Sequence, residues 1–229
     1  MSVKIESNRS LSQEKLMKKT FLKLPDKKRL AILNAAADVF AREGYHHASI
    51  SDICKNAGIS NGALYKYFKN KEDLFLCLID YGIELINGLY RQLETDKPVI
   101  PTLKAIFNGI NLIARDKGFI ISMYLDLGTC TLNSFAEKKS AKLEKIGMDF
   151  LTELLTNAAA RGEISKTIDI PSTVYLIDNL FVLYSYSTVS VHHRKRLLAF
   201  MREKKDVPEK KKIAFMLEAA SRILEANIK

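Results

Sequence analysis

The chain has 229 residues, of which 47% are hydrophobic and 27% are charged. This composition is typical of a globular protein with a substantial core and excludes an intrinsically disordered chain. Lysine and arginine number 36 against 26 acidic residues, so the formal net charge is +10. Such a charge favours an acidic partner (nucleic acid, anionic membrane or acidic protein), although a merely basic globular protein would have the same balance.

The cysteines and histidines indicate neither disulfides nor metal. Three scattered cysteines form no CxxC pair and no even-numbered framework, so we expect a reducing, cytoplasmic environment. The adjacent His192 and His193 lack the spacing of metal ligands, and we predict no metal and no cofactor. No apolar stretch reaches the ~18 residues of a membrane helix and no signal-peptide core begins the chain, so no membrane partner is expected.

The first 24 residues are polar and basic, and two interpretations fit them equally. Ser10 and Gln13 match a capping box for a short helix through Leu22, and a frayed basic arm has the same composition. From Pro25 a helical pattern begins, and Gly44 is expected to end it. Its apolar positions recur every three or four residues: Leu30, Leu33, Ala36, Ala37 and Phe40.

Three further helix starts follow closely. Ser49 stands three residues before Asp52 and predicts the N-cap of a short helix that Gly58 ends. Ser60 predicts the N-cap of the next helix, and Asn70 that of a long fourth helix. Two helices joined by Gly58-Ile59-Ser60 form a helix-turn-helix pattern, because glycine allows the sharp reversal and Ile59 fills the angle.

Beyond residue 95 only helical patterns occur. Apolar residues recur at helical spacing around residues 103–113, 143–158 and 213–224, and the segment 172–191 is apolar on almost every side. No alternating strand and no internal repeat is present, so we predict an all-α protein with nine or ten helices.

The outward positions of the second helix of the motif carry side chains suited to DNA. That end of the helix enters the major groove in helix-turn-helix proteins. Asn61 is suited to a base edge, Ala63 to a thymine methyl group, and Gly62 to a close backbone approach. The hydroxyls of Tyr65 and Tyr67 can donate hydrogen bonds to DNA phosphates. The Ser49 hydroxyl and the Lys71 ammonium can do the same.

The segment "ILNAAADVFAREGYHHASISDICKNAGISNGALYKYFKNKEDLF" (residues 32–75) resembles the DNA-binding domain of the TetR family of bacterial transcriptional regulators. The resemblance rests on Ala36-Ala37 with Phe40, Gly44-Tyr45, "AGISNGALYKYF" and "NKEDLF". It implies that Tyr65 is the family's phosphate-binding tyrosine and that the base-reading positions fall on Ile50, Asn61, Gly62 and Ala63. The family's helix-two threonine corresponds to Ser49, its second aromatic residue or histidine to Tyr67, and its lysine at the start of helix four to Lys71. Ser60, the cap of the second helix, completes the predicted DNA-binding set.

The resemblance also implies a larger C-terminal helical domain that binds a small-molecule effector and forms a homodimer through its last two helices, about 172–200 and 209–226. Candidate effector contacts are Phe107, Met123, Tyr124, Met148, Tyr175 and Asn179, and candidate dimer contacts are Asp178, Phe181, Leu217, Ala220 and Leu224. Aromatic residues and methionines at helical spacing also fit ordinary core packing, and the polar residues within 175–179 fit a subunit interface as well as an effector site.

We therefore predict an N-terminal arm or short helix (1–24), a DNA-binding domain (25–72) and an effector and dimerisation domain (73–229). The expected function is that of a regulator, most simply a repressor released from a palindromic double-stranded operator by its effector; an activator is the alternative. An α-helical enzyme would need paired carboxylates, a nucleophile with its base or a phosphate loop, none of which is recognisable. A DNA-coating architectural protein would need a stronger basic excess than the 14 basic and 8 acidic residues of residues 1–75.

Overall fold

The computed structural model describes residues 16–224, and every regular element among them is a helix. The predicted all-α class is therefore confirmed for this part of the chain. In chain order the helices are α1 (Lys19–Leu22), α2 (Asp26–His47), α3 (Ile50–Ala57), α4 (Asn61–Tyr67), α5 (Lys71–Tyr90), α6 (Val99–Leu127), α7 (Asn133–Ala160), α8 (Ile170–Val189), α9 (Val191–Phe200) and α10 (Glu209–Ile223). A three-residue 3-10 turn, Cys130–Leu132, separates α6 from α7. Within residues 16–224, no helix combines the length and the apolar character needed to cross a bilayer.

The described chain divides into two compact units. The first contains the described residues up to Ile86 together with Met123–Lys139, and the second contains Asn87–Ser122 and the described residues from Ser140 onwards. The division passes through three helices, α5, α6 and α7, so each of them contributes residues to both units. The predicted boundary after residue 72, which was based on the helix-turn-helix pattern, stays a prediction.

The helix ends of the first unit follow from local side-chain chemistry. The predicted caps are confirmed, because Ser49 Oγ accepts from the Asp52 N–H at 3.0 Å and Ser60 Oγ from the Ala63 N–H at 3.2 Å. Asn70 Oδ1 likewise accepts from the Asp73 N–H at 2.8 Å. Ser10 and Gln13 lie outside the described residues, so their capping box stays a prediction.

Two glycines with positive φ stand at the two positions where the sequence predicts helix ends, and Gly58 is the one that follows the end of a helix. Gly44 has φ 72° and interrupts regular geometry in α2, although helical hydrogen bonding resumes for one turn up to His47. Gly58 has φ 65° and ψ 36° and follows α3. There the Ile59 N–H donates to the Cys54 carbonyl at 3.0 Å and the Gly58 N–H to the Lys55 carbonyl at 3.3 Å, which is a Schellman ending.

The core of the first unit includes an aromatic cluster that extends to its second chain segment. Phe75 lies 5.0 Å from Phe40 and 4.9 Å from Phe135 between ring centroids, and Tyr45 lies 4.6 Å from Phe135. Nearby in sequence, the Lys139 ammonium pairs at 2.7 Å with the carboxylate of Asp80, a residue that is completely buried. These contacts bind the segment Met123–Lys139 to α2 and α5 within one unit.

The second unit is held together by an apolar core between its long helices. The Phe107 ring lies 4.7 Å from that of Phe181 and 5.0 Å from that of Tyr184, centroid to centroid. The Tyr184 hydroxyl, at the edge of this core, donates to Asn111 Oδ1 at 2.9 Å. The hydroxyl is therefore satisfied, and the ring contributes its full apolar area.

Three of the predicted dimer contacts are buried within their own chain, and their role in a dimer stays a prediction. Phe181 is 4% exposed, while Ala220 and Leu224 are not exposed at all, because all three pack into the core of their own chain. Sequence periodicity could not separate the two sides of α8, since apolar residues occupy almost all of them. The outward apolar residues of this helix are instead Tyr175, Leu176 and Leu183, whereas Asp178 and Leu217 are half-buried.

Candidate DNA-binding surface

Helices α3 and α4 are joined by a three-residue connection, Gly58-Ile59-Ser60, as expected of a helix-turn-helix. Ile53 of α3 and Leu64 of α4 are buried, with 0% and 1% of their surface exposed. Phe68, the residue after α4, is also buried, with 1% exposed. Because these apolar side chains point inward, the opposite side of α4 is free to meet DNA. Residues on that side include Asn61 and Tyr65, and Tyr65 is 47% exposed.

The first turn of α4 carries the predicted base contacts. The Asn61 amide is exposed and donates to Ser51 Oγ at 3.1 Å, which orients it from α3. Among residues 16–224, a Cβ added at Gly62 would approach only Ser60 Oγ, at 4.0 Å, so no described neighbour requires glycine there. The other two predicted base contacts, Ala63 in α4 and Ile50 at the start of α3, are half-buried. The open space at Gly62 would let a DNA backbone or base approach the helix closely.

The two tyrosines differ in their surroundings. Tyr65 is exposed, whereas Tyr67 is half-buried and its ring lies 5.6 Å from that of Phe21, centroid to centroid. The phosphate roles of both residues stay predictions, and Tyr65 has the greater freedom to reach a backbone.

Lys71 has a structural task that the sequence did not reveal. Its ammonium donates to the backbone carbonyls of Tyr45, Ala48 and His46 at 2.8, 3.1 and 3.2 Å, and lies 4.7 Å from the centre of the Tyr45 ring. An ammonium has three donors, so all three are engaged at the end of α2. A phosphate contact by Lys71 stays a prediction and would have to replace one of these bonds.

The hydroxyl of Ser49 is engaged as well. Besides accepting from the Asp52 N–H, it donates its single proton to Asp52 Oδ2 at 2.6 Å. A contact with phosphate would require that this proton be released from the carboxylate. The cap at Ser49 is therefore the observed role, and its phosphate role stays a prediction.

Comparisons with known proteins agree with this geometry. The family model described as bacterial regulatory proteins, tetR family, matches residues 32–78. The fatty acid metabolism regulator protein of Bacillus subtilis is 31% identical over 148 residues, which cover 62% of this chain and 74% of that protein. The transcriptional regulator UidR of Escherichia coli K12 is 47% identical over 154 residues, 66% of this chain and 76% of its own length.

The chain belongs to the TetR family. A solved structure of FadR from Bacillus subtilis, in complex with stearoyl-CoA, has a TM-score of 0.58 with 23% identity and covers 85% of this chain and 97% of that one, which shows the shared fold. As a TetR-family member, the protein is a DNA-binding transcriptional regulator. The family is regulatory rather than enzymatic. Among residues 16–224, no group of three or more His, Cys, Asp or Glu side chains could hold a metal ion.

Sequence reasoning missed several residues that shape the TetR-type surface. The Ser51 hydroxyl accepts from the Asn61 amide and orients it. The side chains of Lys18 and Thr20, which precede α2 in the sequence, donate hydrogen bonds to backbone carbonyls at the end of α4. The sequence signal was weak, because serine and lysine are common exposed residues. The three roles depend on which backbone group lies opposite in the folded chain.

The six predicted effector contacts do not share one environment. Phe107 is fully buried in the core of the second unit, whereas Met148 and Tyr175 in the same unit are 51% and 69% exposed. The grouping of these residues in a single effector site stays a prediction. Met123 and Tyr124 belong to the first unit, and the Asn179 amide donates to the Tyr175 carbonyl of its own helix at 2.7 Å.

The second unit also contains a polar cluster among its apolar helices. Burial, and then the nearby Glu144 carboxylate, raises the pKa of Asp178 to about 6, and burial raises the pKa of Tyr90 above its ordinary value. A Cβ added at Gly147 would lie 3.0 Å from Asp178 Oδ1 and 3.3 Å from the Tyr90 hydroxyl. Glycine therefore gives these two polar groups room beside α7. Burial likewise raises the pKa of Tyr186 to about 12.

Proposed function

We propose that this TetR-family regulator is a homodimeric repressor that binds a palindromic operator and is released by a small-molecule effector. The observation that carries the proposal is the exposed first turn of α4, where Asn61 is oriented by Ser51 and Gly62 has open space above it. An activator with the same DNA contacts is the alternative. Comparing target transcription with and without the gene separates the two, since loss of a repressor raises transcription and loss of an activator lowers it.

The assignment of base contacts to α4 is tested at Asn61. Binding-site selection from a random DNA pool should yield a palindrome for the wild-type protein. Exchange of Asn61 for glutamine should change the preferred base at one position per half-site, with a cost of about 1–3 kcal/mol for the original base. Selection of an unchanged consensus by the variant would contradict the assignment.

For the homodimer we propose an interface on the outward side of α8. Leu176 and Leu183 are seven residues apart, lie on one side of the helix, and are 48% and 42% exposed. Leu180, partly buried, lies between them, and α10 contacts α8 within the same unit. Because large exposed apolar residues in a row are uncommon on a monomer, a second copy is the occupant that the proposal assigns.

The substitution Leu183→Glu should give folded monomers, since symmetry would bring two charges into one desolvated interface. A monomer cannot hold two recognition helices about 34–36 Å apart, so it should lose tight operator binding and keep weak binding to any DNA. Val191→Glu is the matched control, because Val191 is 61% exposed on α9, outside the proposed interface.

Sedimentation of both variants, paired with operator titration, measures the two effects. A Leu183→Glu protein that stays dimeric would contradict the proposed interface. A folded monomer that still binds the full operator tightly would contradict the need for two recognition helices.

A further inference from the structure

The segment Lys18–Leu24, which we name the N-terminal brace, contacts the end of α4 through its backbone and side chains. The Lys18 N–H donates to the Tyr67 carbonyl at 2.9 Å, and the Lys18 ammonium donates to the Tyr65 carbonyl at 2.7 Å. The Thr20 hydroxyl donates to the Lys66 carbonyl. Three successive carbonyls at the end of α4 therefore accept hydrogen bonds from a segment that lies more than 40 residues earlier in the chain.

These bonds complete the hydrogen bonding of a very short helix. The last four carbonyls of an α-helix have no partner within the helix. In α4 the carbonyl of Leu64 accepts from the Phe68 N–H at 2.9 Å, and the brace satisfies the other three. A helix of seven residues is below the length at which helices are stable on their own. The position of α4 thus depends on contacts from outside it.

Apolar contacts reinforce the same end. Phe21 is 1% exposed, and its ring lies 4.8 Å from that of Phe68, centroid to centroid. The brace is in turn fixed to α2, because the Arg29 guanidinium donates to the carbonyls of Leu22 and Leu24 at 2.9 and 2.7 Å. A continuous set of contacts therefore runs from α2 through the brace to the recognition helix.

We propose that Lys18 and Thr20 are positioning residues for operator recognition. They touch no base in this scheme; they fix the axial position and tilt of α4, so that Asn61 meets its base edge in the correct register. The brace lies outside residues 32–78, the part matched by the family model. The inference rests on the proposed role of α4 in base recognition.

The chain offers a matched control for charge. Lys18 and Lys19 are adjacent, exposed and equally charged, but only the Lys18 ammonium meets a carbonyl of α4. Lys19→Ala should lower affinity for operator and for random DNA by the same factor, since it removes one long-range attraction. Lys18→Ala should in addition lower the ratio of operator to random-DNA affinity by about tenfold.

Thr20 allows an uncharged test of the same role. Thr20→Val keeps the shape of the side chain and removes the donor, and should lower the affinity ratio about three- to tenfold. Thr20→Ser keeps the hydroxyl and should restore the wild-type ratio. Amide hydrogen exchange should accelerate in residues 64–68 of Thr20→Val and stay unchanged in α3.

The measurements are made on the full-length dimer with the DNA obtained by site selection, at a temperature where all variants are folded. A ratio equal to wild type in both Lys18→Ala and Thr20→Val would overturn the brace. A ratio that falls equally for Lys19→Ala and Lys18→Ala would overturn it as well, because charge alone would then explain the effect. A wild-type protein without any operator preference would instead refute the proposed function, while the exchange data would still report on the brace.

Discussion

The two units of this regulator are stabilised in different ways. Both units have apolar cores, but in the first unit polar side chains also fix helix ends by bonding to particular backbone atoms, such as the Lys71 ammonium at the end of α2 and the Thr20 hydroxyl at the end of α4. In the second unit, long helices are held by an apolar core around Phe107, Phe181 and Tyr184. Hydrogen bonds are directional, whereas apolar burial is not.

This difference matches the tasks that we propose for the two units, DNA binding for the first and effector binding for the second. Contact with base edges requires a helix held at a defined position, which directional bonds to its ends provide. An effector domain has to adopt more than one packing, and apolar helices can shift against one another when the alternatives differ by only a few kcal/mol. We therefore expect substitutions in the first unit to act through single hydrogen bonds, and those in the second through volume and burial.

The largest effect is expected from the apolar core. Phe181→Ala should lower the free energy of unfolding by about 3–5 kcal/mol, since it leaves a cavity beside Phe107 and Tyr184. Phe200→Ala is the matched control, because Phe200 is 66% exposed, and should change stability by less than about 1 kcal/mol. Urea denaturation of both variants gives the comparison. A small loss for Phe181→Ala would show that the second unit does not depend on this core.

The next largest effect is expected at Lys71. Lys71→Ala removes three hydrogen bonds to carbonyls at the end of α2 and should cost about 2–3 kcal/mol of stability in the first unit. Lys69→Ala is the control, since Lys69 is exposed and of equal charge. Thermal unfolding measures the difference between the two variants.

The same pair of variants tests the predicted phosphate contact of Lys71. If the contact exists, the slope of log affinity against log salt should fall by about 0.9 per subunit in Lys71→Ala. An unchanged slope together with reduced stability would assign Lys71 to the fold alone.

A smaller, pH-dependent effect is expected at Asp178. Burial raises its pKa from 3.8 to about 6, so the protonated form is favoured in the folded state. Its stabilising contribution is complete below about pH 4 and is lost as pH rises through 6. Asp178→Asn should therefore gain roughly 2 kcal/mol relative to wild type between pH 4 and pH 7. Urea midpoints across this range test it, with the exposed Asp96→Asn as control; parallel curves for wild type and Asp178→Asn would contradict it.

The smallest stability effect is expected at Gly62, and there binding and stability should separate. Alanine has open space at this position and a higher helix propensity, so Gly62→Ala should raise stability by up to about 1 kcal/mol. Operator affinity should nevertheless fall, because the added methyl group stands between the helix and the DNA. Equal or tighter operator binding by the variant would show that DNA does not approach the backbone at Gly62.

Local chemistry explains which features of the fold could be predicted. Ser49, Ser60 and Asn70 cap helices because their side chains bond to amides three residues away, and Gly58 adopts a left-handed conformation that few other residues tolerate. Such features involve neighbours in sequence, so a pattern of a few residues contains them. The helix-turn-helix and its exposed surface could be predicted for the same reason.

The assignments that depended on distant neighbours could not be predicted in this way. Phe181 was expected at a dimer interface, but α8 is apolar on several sides, and only the packed structure shows that Phe181 faces Phe107 while Leu183 faces outward. The effector candidates were likewise chosen by residue type, and burial then separated Phe107 from Met148 and Tyr175.

The sequence by itself determined that this chain is helical, where its short helices begin and end, and that it carries a TetR-type DNA-binding motif. Only the tertiary structure decided that Lys71 bonds to the end of α2, that Lys18 and Thr20 bond to the end of α4, and that Lys139 pairs with the buried Asp80. The physical reason is range. Capping, turns and helical periodicity involve residues within about one turn of each other, whereas an ammonium or hydroxyl takes whichever distant carbonyl or carboxylate the packed helices bring to it.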